Sequence, residues 1–180
     1  MERNIARIAL FAALIAALGF LPAVTLGFGV PITAQSLAVM LCGTVLGAKR
    51  GALAVLLFLA LVALGLPLLA GGRGGLGVFA SPTVGFLVGF PIAAFTTGLI
   101  VERWKGPLPL VASVASIIGG VVVLYVFGAM GLALMLGKTF PEAALLVTAF
   151  IPGDIIKAVL AGGITSGLAK ARPDSLLSRA

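Results

Sequence analysis

Six long apolar runs, at residues 8–26, 32–48, 51–70, 83–101, 108–132 and 143–169, occupy most of this sequence. A helix needs about 20 apolar residues to cross roughly 30 Å of hydrocarbon, and all of the runs but the short second one are close to that length. Lipid offers no partner for backbone N–H and C=O groups, so each segment must bond internally, as a helix does. Barrel strands would alternate polar and apolar residues, and these runs do not. Composition agrees: 61% of the residues are hydrophobic and 9% charged, where a soluble domain carries about 25% charged residues. The sequence therefore predicts an all-α membrane protein, one integral domain over residues 1–180, with six transmembrane helices. No internal repeat, linker or low-complexity tail divides it.

The basic residues orient the chain. With six spans and a cytoplasmic N-terminus, Arg3, Arg7, Lys49, Arg50, Arg103, Lys105, Lys170, Arg172 and Arg179 fall inside, while Arg73 and Lys138 fall outside. Cytoplasmic loops are enriched in Lys and Arg, so both termini are expected in the cytoplasm. A basic start before an apolar run also fits a secretory leader, but no small-x-small cleavage site follows. The net charge of +7 does not point to nucleic acid, because the basic residues are scattered, with no stripe and no aromatic interleaving.

Several chemistries lack their residues. The chain has no histidine and one cysteine, Cys42, which leaves no disulfide, no paired-cysteine or histidine metal site and no histidine base. With no activated nucleophile either, an enzyme is not expected.

The informative polar residues are few. Asp154 and Lys157 are the acid and base that fall inside a span, in Ile151-Pro152-Gly153-Asp154-Ile155-Ile156-Lys157. Each would cost about 2.5–3.5 kcal/mol at the bilayer centre, and a spacing of three puts them on one helix face. Pro152 and Gly153 predict a break or kink just before them. Two readings follow: a structural ion pair, or a polar ligand site in which Lys157 neutralises a carboxylate and Asp154 accepts N–H groups or holds Lys157. Three other segments offer groups to a site. Thr33 and Gln35 follow Pro31 at the start of the second run. The glycine-rich stretch from Gly71 to Gly77 leads to Phe79, Ser81, Thr83, Gly85 and Phe86. The glycines allow close approach to a ligand, but no Gly-Lys-Ser/Thr follows, so this is not a nucleotide phosphate loop. Tyr125, the one tyrosine, falls mid-span, where a phenol seeks a partner. Finally, Ala9, Ala13 and Ala17, like Ala12 and Ala16, make a small-residue face on the first span for close packing, within the bundle or with a partner subunit.

Together these segments resemble the BioY family, the biotin-specific substrate-binding (S) subunits of energy-coupling factor (ECF) transporters. Pro31-Ile32-Thr33-Ala34-Gln35 matches the family's Pro-Ile-Thr-x-Gln. Gly71–Gly77 with Ser81-Pro82-Thr83-Val84-Gly85-Phe86 is similar to its glycine-rich stretch and Gly-Pro-Thr-Gly-Gly-Tyr motif, with Ser81, Val84 and Phe86 departing from it. Pro152-Gly153-Asp154-Ile155-Ile156-Lys157 resembles its Pro-Gly-Asp-x-x-Lys. The resemblance implies the six-helix S-subunit fold in a bacterial plasma membrane. It also implies biotin capture from outside, a transmembrane coupling subunit and two cytoplasmic ATPases as partners. ATP is then used by those partners, and this chain holds no cofactor and no metal. Asp154, Lys157, Thr83, Gly85, Phe86, Tyr125, Thr33 and Gln35 become the expected substrate-binding residues, and Ala9, Ala13 and Ala17 the expected docking face. An S subunit for another vitamin, or a self-sufficient proton-coupled carrier using Asp154, are the competing readings.

Overall fold

The computed structural model describes residues 2–179, the side chain of Arg3 excepted. The place of Arg3 in the charge pattern, and residues 1 and 180 of the expected domain, lie outside the described residues. Among the described residues six helices dominate: α1 (Glu2–Gly19), α2 (Gln35–Leu46), α3 (Ala48–Ala63), α4 (Val84–Arg103), α5 (Leu108–Leu136) and α6 (Phe140–Ala171). The last three are long and apolar enough to cross a membrane.

The shortness of α2 has a packing explanation. Its 12 residues rise about 18 Å, too little to span alone, yet all but Leu37 are buried. It is a central helix, packed against α1, α3, α4 and α6, so its backbone and side chains are covered by protein rather than lipid. Cys42 is buried on it as a packing residue. Helix α4 packs against α2, α3 and α5 on one side and leaves Val88, Ile92 and Phe95 exposed on the other. Glycine makes the closest approaches: a Cβ on Gly85 would stand 2.9 Å from the Gly131 Cα and collide with the Phe127 carbonyl. This contact joins α4 and α5 backbone to backbone, a small-residue crossing suited to a bundle in lipid.

The helix ends correct several boundaries expected from hydropathy. Residues 20–26 belong to no helix; Val24–Thr25 pairs antiparallel with Pro31–Ile32 as a small hairpin between α1 and α2. Residues 32–34 likewise precede α2. The cause is local: Pro22 and Pro31 cannot donate within a helix, and Gly29 takes a φ of 84° at the hairpin turn. Residues 64–70 of the third run leave the helix at Gly65, whose φ is 104°. Hydropathy marks what is buried from water, not where backbone bonding stops.

Two long helices are irregular inside. In α5 a π-helical stretch covers Ile118–Val123, next to the buried crossing where Gly119 meets Ala93 and Thr97 of α4. In α6 the turn Thr148–Phe150 is 3-10 and α-helix resumes at Ile151. The break expected at Pro152-Gly153 is thus not an open break. The helix tightens one turn earlier, and Pro152 falls in the first turn of the resumed helix, where its missing N–H is least costly.

The C-terminal segment after α6 folds back under the bundle. Ser178 Oγ donates to the Thr44 carbonyl at 2.6 Å, Arg179 donates to the Trp104 carbonyl at 2.9 Å, and Arg7 donates to the Asp174 carbonyl at 2.6 Å. One end of the bundle thereby gathers the start of α1 and the ends of α2, α4 and α6. The hairpin and the glycine-rich loop cover the opposite end.

Candidate functional site

At the hairpin end the helices leave a half-enclosed pocket, with about 550 Å³ of space between atoms when its open mouth is included. Phe86, Leu87 and Phe90 of α4, Leu124 of α5 and Phe150 of α6 supply an apolar wall. Thr33, Ser36, Asp154 and Lys157 supply a polar floor, and Arg73 lies on the lining contributed by the glycine-rich loop.

The floor is one connected network. Lys157 Nζ donates to Asp154 Oδ1 at 2.6 Å, to the Thr33 carbonyl at 2.7 Å and to Ser36 Oγ at 3.0 Å. Ser36 Oγ in turn donates to Asp154 Oδ1 at 3.0 Å, and Tyr125 Oη donates to Asp154 Oδ2 at 2.8 Å. The i, i+3 spacing on α6 places acid and base on one face, and the cluster sits where α2 and α5 converge on that face. The two side chains keep 7% and 15% exposure, and both line the pocket. Acid and base therefore do both things: they pair with each other and they line a cavity. Lys157 has three protons and all three are engaged by the protein. A carboxylate has about four acceptor positions, and Asp154 uses three, which leaves one on Oδ2.

The residues singled out in the sequence separate into groups. Asp154, Lys157, Thr33, Thr83 and Phe86 line the pocket, and Tyr125 stands behind Asp154. Thr83 is buried and its hydroxyl is 2.7 Å from that of Ser81. Gln35 touches the lining but both its donors are spent: Nε2 donates to the carbonyls of Ile15 and Leu68, and Oε1 accepts from Ala70 N–H. It ties α1 and the glycine-rich loop to α2. Gly85 faces α5 rather than the pocket, and its lack of a Cβ serves the Gly131 crossing. Phe79 packs against the core outside the pocket. Ala9, Ala13 and Ala17 are exposed, whereas Ala12 is buried, so the first ladder points away from the bundle.

Sequence reasoning missed Ser36, Arg73 and Phe150 as lining residues. Ser36 follows Gln35 directly, and its spacing gave no sign that α2 would bring it to α6. Arg73 was visible as an outer basic residue. Gly71 and Gly72, with φ of 78° and 69°, turn the chain so that Leu69 and Arg73 bridge, and Arg73 Nε donates to the Ala70 carbonyl at 3.2 Å. This fold-back carries Arg73 to the pocket. Arg73 and Pro31 also line a second, larger cavity over the α1–α2 connection. Among the described residues no cluster of His, Cys, Asp and Glu is arranged to hold a metal.

Comparison with known proteins gives the arrangement its family. A family profile described as the BioY family matches residues 2–174. The chain belongs to the BioY family. A protein of Rhodobacter capsulatus named biotin transporter BioY is 54% identical, over 99% of this chain and all of that one. A protein of the same name from Rhizobium etli is 58% identical over 88% of this chain and 89% of its own length. Among solved structures, the S-component for biotin from an ECF-type ABC transporter superposes with a TM-score of 0.88 at 32% identity, covering 94% of this chain and 92% of that one. The fold is therefore the ECF S-component fold. Membership of this transporter family and the membrane-spanning helices make the chain a multi-pass protein of the bacterial plasma membrane.

Proposed function

We propose that this chain is the S subunit of an ECF-type biotin transporter, and that it takes biotin from outside into the pocket floored by Asp154 and Lys157. The observation that carries the reading is the placement of that buried, hydrogen-bonded charge cluster at the bottom of an apolar pocket. A ureido ring carries two N–H donors and one carbonyl acceptor, and the vacant acceptor position on Asp154 Oδ2 can take one of those N–H groups. The apolar wall suits the fused rings and alkyl chain. Lys157 already has three protein acceptors, so the cation for the ligand carboxylate is Arg73. The names borne by the relatives and by the structural neighbour support biotin over other vitamins.

In this reading the chain crosses the membrane six times with both termini in the cytoplasm, the side to which the basic residues and the folded-back tail belong. The outward ladder Ala9, Ala13 and Ala17 docks on a transmembrane coupling subunit, since small residues let two helices approach closely in lipid. Two cytoplasmic ATPases supply the energy. The chain itself binds no ATP and catalyses no reaction.

Native mass spectrometry of the purified protein, with labelled biotin added, tests the assignment. Biotin is expected to be retained at one per chain and held much more weakly by Asp154→Asn. Retention of riboflavin or thiamine in its place would reassign the pocket to another vitamin. Biotin uptake driven by a pH gradient into vesicles holding this chain alone would replace the coupled mechanism with a self-sufficient carrier.

A further inference from the structure

Phe150 occupies an unusual position in the pocket wall. It ends the 3-10 turn Thr148–Phe150 and lies one helical turn before Asp154, so its ring stands next to the polar floor. Three other rings grip it edge-on: Phe86 at 5.6 Å and 67°, Phe28 at 6.0 Å and 87°, and Tyr125 at 6.3 Å and 63°. Such T-shaped pairs are the favoured aromatic geometry and restrict the ring's movement. Of these three partners only Phe86 shares the pocket lining; Phe28, on the hairpin, and Tyr125, on α5, hold the ring from outside it. Phe150 is 6% exposed, and the pocket is among the spaces its ring borders.

We propose that Phe150 is the specificity-determining residue of this pocket, a rigid aromatic wall that reads the ring system attached to the ligand's ureido head. The proposal rests on the biotin reading above. A ligand whose ureido group reaches Asp154 carries its fused second ring within one bond of that group, and so within the space bordered by Phe150. Because three elements clamp the wall, it cannot move in to follow a ligand that lacks the second ring. Dense packing makes that void a loss of contact rather than an accommodation. The polar floor, by contrast, meets only the ureido head and treats ligands that share it alike.

Biotin and desthiobiotin, which has the same ureido head and carboxylate but no sulfur-containing ring, separate these contributions. Binding of both to the purified chain is measured for wild type, Phe150→Leu, Phe150→Ala and Asp154→Asn, with thermal melting to establish folding. Wild type is expected to prefer biotin by about tenfold or more, the range that small apolar differences produce in a rigid pocket. Phe150→Ala should bring the two affinities together, chiefly by weakening biotin, and Phe150→Leu should do so in part while keeping apolar volume if the alanine variant fails to fold. Asp154→Asn should weaken both ligands by a common factor. A folded Phe150→Leu that keeps the wild-type ratio, or a wild type without preference, overturns the proposal. A wild-type chain that retains neither ligand overturns the biotin assignment first, and this inference with it.

Discussion

Two buried polar clusters, one at each end of the bundle, differ in a way that separates function from packing. At the hairpin end, Asp154, Lys157, Ser36 and Tyr125 join α2, α5 and α6 around a pocket. At the opposite end, Thr165 Oγ1 donates to Thr44 Oγ1 at 2.8 Å and Ser178 Oγ donates to the Thr44 carbonyl at 2.6 Å. Thr44 and Thr165 are 0% exposed and Ser178 3%. The second cluster uses neutral hydroxyls and backbone carbonyls, and it borders neither cavity described above. The first uses a full positive and a full negative charge, keeps part of its surface open and leaves an acceptor position unfilled. Hydroxyls are enough to fasten helices together. Burying charge is expensive, and in a membrane protein such residues mark substrate paths far more often than simple packing.

The sharpest way to break this contrast is Lys157→Ala. It leaves Asp154 buried without its cation, and removing one partner of such a pair destabilises by about 3–5 kcal/mol. Biotin affinity should fall about a hundredfold or more, measured by calorimetry beside a melting curve. The double change Asp154→Asn with Lys157→Met, which removes both charges, should recover much of the stability and none of the binding. Recovery of binding would put the pair among the helix fasteners.

Arg73→Gln comes next. Loss of a charge-assisted contact to the ligand carboxylate is worth about 1.5–3 kcal/mol, so biotin should bind at least about tenfold more weakly. The amide of biotin, which has no carboxylate, should be indifferent to the change in the same titration. Tyr125→Phe removes one of the three donors to Asp154 and should weaken binding about fivefold, in line with a hydrogen bond worth about 1 kcal/mol. The smallest effect on binding is expected from Thr165→Val in the sealed cluster. It should cost about 1 kcal/mol of stability and leave biotin affinity unchanged; a clear loss of affinity there would show that the two ends are coupled.

Particular residues separate what is legible in the sequence from what is not. Asp154 and Lys157 stood out because charge inside an apolar run is costly wherever the run folds, and their spacing of three placed them on one face. Thr33, Thr83 and Phe86 stand out by their place at the outer start of the second and fourth apolar runs. The sequence offers Gln35 as both donor and acceptor, yet both its N–H donors go to the carbonyls of Ile15 and Leu68 and its carbonyl accepts from Ala70, a partner 35 residues away. Gly85 was read as a ligand contact, yet it is a helix crossing. In both cases the residue's chemistry was visible and its competitor for that chemistry was not.

The amino-acid order alone determined the solvent of this protein, its helical class and the face on which its buried acid and base lie, because these follow from transfer energies and from the 3.6-residue repeat. Only the tertiary structure decided which polar groups remain available to a ligand. Ser36 and Asp154 lie 118 positions apart and hydrogen-bond at 3.0 Å, and no local pattern encodes a meeting between helices so distant in the chain.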